Sequence, residues 1–224
     1  MSEIPGISGS RRQFIRNLSA ITGAAALAQS GLVWGKNGPA LRPYVPLALA
    51  EPELATLKTL MSRLIPSDPG SGGAIEAQAY VYVDRALAGM YAAKLPAYRQ
   101  GLAALQALAK KSAASSVVAL PAKEVDALIA RLEAGSVTES IVDDAQQDLS
   151  FPDGGKGFFG LLRQHTVEGT FSDPMYGGNQ GFVGWRIVAY PGVQYVYSKA
   201  AQAVNGKFKY ANHSIADFGG KPLP

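Results

Sequence analysis

The sequence predicts an all-α protein, an irregular helical bundle joined by long loops rich in glycine and proline. Three observations predict it. Apolar residues recur at three- and four-residue spacing through much of the chain beyond residue 51. No stretch alternates apolar and polar residues convincingly enough to form a sheet. Glycines and prolines cluster between the periodic segments, where they act as breaks.

The elements follow in order. Glu51-Pro52 opens a first helix, with proline near the first turn, where its missing N–H costs nothing. Leu54, Leu57, Leu60, Met61, Leu64 and Ile65 share one face of it, and the run Pro66-Ser67-Asp68-Pro69-Gly70-Ser71-Gly72-Gly73 stops it. A second helix is expected over residues 74–91. A third starts near Pro96 and carries Tyr98, Leu102, Leu105 and Leu108, with Lys110-Lys111 at its solvated end, where cations suit the helix dipole. Pro121 opens a fourth, with Val125, Leu128, Ile129 and Leu132 inward and Gly135 as the stop. Thr138 is expected to cap a short fifth helix ending near Leu149. Another spans residues 157–170, with Phe158, Phe159, Leu161, Leu162 and His165 as inward candidates. The remainder reads as irregular, apart from a possible helical turn over residues 193–203. No internal repeat is visible.

A chain of 224 residues suits one domain with an appended segment. A hydrophobic fraction of 47% against 17% charged residues fits a folded core and excludes wholesale disorder. Three of the 21 basic side chains (Arg11, Arg12, Arg16) and one of the 17 acidic ones (Glu3) precede residue 28, so the body is nearly neutral. No basic run with interleaved aromatics is present, which argues against nucleic acid as a partner. Cysteine is absent, excluding disulfides, cysteine-ligated iron–sulfur clusters, c-type haem attachment and thiol nucleophiles. His165 and His213 are the only histidines, too few for a histidine-rich metal site.

The N-terminal residues read as an address. Ser10-Arg11-Arg12-Gln13-Phe14-Ile15-Arg16 follows the twin-arginine pattern, with Arg11, Arg12 and Phe14 as its recognition residues. A modestly apolar stretch follows, and Ala26-Leu27-Ala28 supplies the small-x-small spacing of a signal peptidase site. The expected organisation is a signal over residues 1–28, an extended arm over 29–50 and a helical domain over 51–224. Retention of the signal as a membrane anchor is the alternative to cleavage. Polar interruptions at Asn17, Ser19, Thr22, Gln29 and Ser30 weigh against a stable span.

Candidate chemistry is sparse. The run Gly70-Ser71-Gly72-Gly73 precedes a helix but lacks the P-loop lysine and follows a helix rather than a strand, so it reads as a loop stop. His165 and Glu168, three residues apart, share a helix face and could move protons or bind metal. The alternative is that His165 hydrogen-bonds within the packed body. The densest segment is Gly169-Thr170-Phe171-Ser172-Asp173-Pro174-Met175-Tyr176-Gly177-Gly178-Asn179, followed by Gly184-Trp185 and Tyr190-Pro191-Gly192. Its glycines and prolines read as turns rather than helix interior, and such a loop either plugs the domain or forms a recognition surface.

Two blocks of residues resemble a known family. Phe171-x-Asp173-Pro174-x-Tyr176-Gly177-Gly178-Asn179, with Gly184-Trp185 and Tyr190-Pro191-Gly192, is similar to the signature of the gluconate 2-dehydrogenase subunit 3 family. Leu64-Ile65-Pro66-x-Asp68, through Gly73-Ala74 to Val83-Asp84-x-x-Leu87-x-Gly89, resembles its early block. Ala189 departs from the glycine more usual in the family, and Gln180-Gly181-Phe182 from its polar run. The resemblance implies a non-catalytic small subunit that carries no cofactor of its own. Its implied partners are a large FAD-dependent flavoprotein oxidising a sugar, sugar acid or polyol, and a multihaem cytochrome c subunit holding haem c. It also implies folding and export of the flavoprotein through the twin-arginine translocase, and a periplasmic complex associated with the inner membrane. Asp173, Tyr176, Gly177, Gly178, Asn179 and Trp185 are then the expected partner interface, with Tyr176 nearer the partner and Trp185 partly buried. A free-standing exported binding protein or enzyme using His165 and Glu168 is the competing reading.

Overall fold

The apolar faces predicted above assemble into helices that pack around a common core. The computed structural model describes residues 44–112, 114–194 and 212–219. The export residues Arg11, Arg12 and Phe14, most of the arm, and residues 195–203 of the last expected turn lie outside them. The helices are α1 (Glu51–Leu64), α2 (Ala79–Ala88), α3 (Leu95–Lys111), α4 (Ala122–Ala134), α5 (Lys156–Phe171) and α6 (Val183–Ile187). Short 3-10 turns occur at Ala92–Lys94, Val117–Ala119, Pro174–Tyr176, Gln180–Phe182 and Ile215–Phe218. Among the described residues there is no strand, only two isolated bridges. The fold is all-α, as the sequence predicts.

Helix α1 starts where expected: Glu51 and Glu53 sit in its first turn, where negative charge suits the dipole, and the Ala50 N–H donates to the Glu53 carboxylate. Its leucine face is fully buried at Leu54, Leu57 and Leu60. Helix α5 packs against α1, α2, α3, α4 and α6, which makes it the hub of the bundle. Its inward residues Phe158, Phe159, Leu162 and His165 are buried as predicted, whereas Leu161 is only half-buried. At the end of α3, Lys110 pairs with Asp144 and Lys111 donates to the Ser140 carbonyl, both at the surface.

Three expectations need correction. The second helix is shorter than residues 74–91, because residues 67–76 close on themselves. The Ser67 hydroxyl and the Gly73 N–H both donate to the Glu76 carboxylate, and the Ser71 and Gly72 N–H groups donate to the Asp68 carbonyl. Helix α2 therefore begins only after Gln78, which sits at φ 53°. The same bonds consume the N–H groups that a phosphate would need. The fifth helix expected between Thr138 and Leu149 does not form. The Asp143 carboxylate accepts the Ala145 and Gln147 N–H groups, and Asp148 accepts that of Ser150. These local bonds compete with a helical ladder, and Leu149 instead donates to the Ile141 carbonyl. Finally, the motif segment 169–192 is not wholly non-helical: α5 runs on to Phe171, and Trp185 lies on α6.

Among the described residues, no helix is long and apolar enough to cross a membrane.

Candidate functional site

The motif segment after α5 is organised by Asn179, which is completely buried at φ 47°. Its N–H donates to the Gly169 carbonyl and its side-chain amide to the Ser172 carbonyl, while its Oδ1 accepts the Gly184 N–H, each at 2.8 Å. One side chain thus staples the end of α5 to the start of α6. The two glycines beside it permit this approach. A Cβ on Gly178 would collide with the Gly169 carbonyl oxygen, and one on Gly184 with that of Thr170.

Trp185 is 4% exposed, and its indole N–H donates to the Phe171 carbonyl at 2.8 Å. Its ring packs on Phe182 and meets Tyr190 edge-on, with centroids 5.3 and 5.0 Å away. Asp173 is also buried: its carboxylate caps the Pro174–Tyr176 turn through the Met175 N–H. It also accepts the Ser214 hydroxyl at 2.6 Å and the Ile215 N–H at 2.8 Å. Gly177, at φ 102°, is buried against Arg85. Of the six expected interface residues, only Tyr176 is open to solvent, at 52%. Met175, Ile187, Val188 and Tyr190 are exposed apolar residues of the same segment.

His165 and Glu168 lie on α5 as expected, but tyrosines occupy them. Glu168 accepts the Tyr82 hydroxyl at 2.8 Å, the Tyr91 hydroxyl at 3.2 Å and the Gln164 amide at 2.8 Å. His165 is 2% exposed, stacks on Tyr91 at 4.4 Å, and its Nδ1 lies 3.0 Å from the Tyr98 hydroxyl. Burial holds the His165 pKa below its ordinary value, with the Glu168 charge opposing the shift. Burial raises the Tyr98 phenol, and burial followed by the Glu168 carboxylate raises that of Tyr82. The phenols therefore remain protonated, and the Tyr98 hydroxyl lies within hydrogen-bond reach of both His165 Nδ1 and the Leu161 carbonyl. This arrangement cross-links α2, α3 and α5. A groove of about 470 Å³ between α1 and α3 is lined by neither His165 nor Glu168. Among the described residues, no group of three or more metal-ligating side chains converges.

One buried carboxylate appears in the early sequence block with no role of its own. Asp84 on α2 is fully buried and accepts four donors: the Tyr44 hydroxyl at 2.7 Å and the N–H groups of Leu47, Ala48 and Leu49 at 2.6, 3.1 and 2.8 Å. Its signal was the charge itself, set in the apolar run Ala79-Tyr80-Val81-Tyr82-Val83-Asp84. A carboxylate on a buried face must find donors.

Residues 51–192 match the family described as gluconate 2-dehydrogenase subunit 3. The chain belongs to that family. No curated protein and no solved structure matches the chain significantly. Membership makes this gluconate 2-dehydrogenase subunit 3 protein a component of a dehydrogenase complex. It also gives the two buried aspartates a common setting. Asp84 and Asp173 both lie inside the matched span, and the segments they hold, 44–49 and 212–215, both lie outside it.

Proposed function

We propose that this chain is the non-catalytic small subunit of a periplasmic, FAD-dependent dehydrogenase complex acting on a sugar, sugar acid or polyol. In this reading it assists the folding and twin-arginine export of the flavoprotein and stays bound to it. FAD resides on the large subunit and haem c on a multihaem cytochrome subunit. The observation that carries the reading is the family match over residues 51–192. The state of His165 and Glu168 supports a non-catalytic role, since His165 is buried, Glu168 is half-buried, both are engaged by tyrosines, and neither lines the groove between α1 and α3.

The partner surface in this reading is narrower than the motif. Asp173, Gly177, Gly178, Asn179 and Trp185 build the loop from within, and Tyr176, with Met175 beside it, faces outward. A rigid aromatic on a pre-organised loop is a good interface anchor, contributing about 2 kcal/mol or more. Tyr176→Ala should therefore weaken co-purification of the flavoprotein about 30-fold, the equivalent of 2 kcal/mol, with helical signal and melting temperature unchanged. Trp185→Ala should instead melt the domain early, at a cost of about 3–5 kcal/mol. Wild-type assembly by Tyr176→Ala would place the interface elsewhere, and a purified complex lacking a flavoprotein would overturn the reading. For export, lysine at both Arg11 and Arg12 should leave the complex in the cytoplasm; unaltered periplasmic delivery would refute that part.

A further inference from the structure

The two buried aspartates hold the two flanking segments unequally. Asp84 takes three consecutive backbone N–H groups and a phenol, and Leu49, at the end of the segment it holds, is buried in the main core. Asp173 takes one hydroxyl and one N–H from residues 212–219, and the Val193 N–H donates to the His213 carbonyl at 2.9 Å. Among the described residues, these are the hydrogen bonds that join the segment to the body. Further hydrogen bonds form within the segment. The Asp217 carboxylate accepts the Ser214 N–H, the Ser214 hydroxyl oxygen accepts the Ala216 N–H, and Gly219 donates to the Ala216 carbonyl. Ser214 is buried, whereas Ile215, Ala216 and Asp217 are exposed.

We propose that residues 212–219 form a releasable strap, clasped by Asp173, that opens without unfolding the helical body. The strap lies along the Gly192 turn: a Cβ at Gly192 would meet the His213 backbone on one side and the Trp185 ring on the other. Opening it frees Asp173 Oδ2 and the Val193 N–H and leaves Oδ1 with the Met175 N–H alone, close to the exposed Tyr176. That set recognises a hydroxyl-bearing main-chain segment, and the strap fills it in cis. Because its own turn is internally hydrogen-bonded, the strap can leave as a unit. This inference goes beyond the proposed dehydrogenase role and does not depend on it.

Hydrogen–deuterium exchange on the full-length chain tests it. In the wild type, the peptide covering 212–219 should be protected, but less than peptides from α5. Ser214→Ala removes the hydroxyl bond to a charged acceptor and should accelerate exchange of the strap at least about tenfold. Peptides from α5 and the melting temperature should not change. Ile215→Pro provides the second variant: proline is accepted at the first position of a helical turn, and the change deletes the other donor to Asp173. It should give the same local acceleration. The proposal fails if either variant lowers the melting temperature and speeds α5 together with the strap, which would make the strap part of the core. It fails equally if the wild-type strap exchanges like an unstructured peptide, or if neither variant alters its exchange.

Discussion

Replacing Asp84 with asparagine keeps the size of the side chain and removes one acceptor. The wild-type carboxylate divides its donors evenly, with Tyr44 and Leu47 on Oδ2 and Ala48 and Leu49 on Oδ1. Asparagine has one carbonyl oxygen, so in either orientation its amide N–H₂ faces two donors. A buried donor left without an acceptor costs about 1–3 kcal/mol. The favoured orientation turns the amide toward Tyr44 and Leu47, because the half-buried Tyr44 hydroxyl can reach water while the Leu49 N–H is buried. The expected loss is about 3 kcal/mol, or roughly 6–12 °C in melting temperature for a domain of this size. Thermal denaturation followed by circular dichroism measures it, and hydrogen exchange over residues 44–50 should rise with it. Tyr44→Phe is the control, removing only the donor that water can replace; it should cost no more than about 1 kcal/mol. An Asp84→Asn protein melting within about 2 °C of wild type would refute the reasoning, as would a Tyr44→Phe variant that loses as much.

Further expectations follow from the backbone and from burial. Ala189 is exposed and sits at φ 53°, so Ala189→Gly should stabilise the protein by roughly 0.5–1 kcal/mol in urea denaturation, relief of strain outweighing glycine's added unfolded-state entropy; a lower midpoint would contradict this. Phe182 is at φ 59°, but its ring packs on Trp185, so the same change there should not stabilise. Gly178→Ala drives a methyl into the Gly169 carbonyl and should cost about 3 kcal/mol or more, read as a drop in melting temperature. His165 has a folded pKa below the 6.5 of the free side chain, so the unfolded chain binds the extra proton first. Its contribution to stability is full above pH 6.5 and is lost as pH falls through the folded pKa. The drop in melting temperature between pH 7.5 and 5.5 should therefore be smaller in His165→Gln than in wild type, and an equal drop would show that His165 does not titrate on unfolding.

What the sequence determined by itself was set by local chemistry. The leucine spacing of α1, the proline starts of α1 and α4 and the stop at Gly135 all act within a few residues, so each was legible before any tertiary contact was known. The motif around Asp173–Pro174 and Gly177–Gly178–Asn179 was legible as a turn-forming unit for the same reason. The false helix between Thr138 and Leu149 marks the limit of that reasoning, because Asp143 and Asp148 satisfied nearby N–H groups that a helix would have used otherwise. The tertiary structure alone decided which motif residues face outward. Trp185 turns inward because the Phe171 carbonyl and two aromatic rings await it, and Tyr176, five residues past the end of α5, has no such enclosure. It likewise decided what Asp84 and Asp173 do. Apart from the Met175 N–H beside Asp173, their donors lie 35–42 residues away along the chain. A carboxylate shows in sequence that it needs donors, but only the folded chain supplies them.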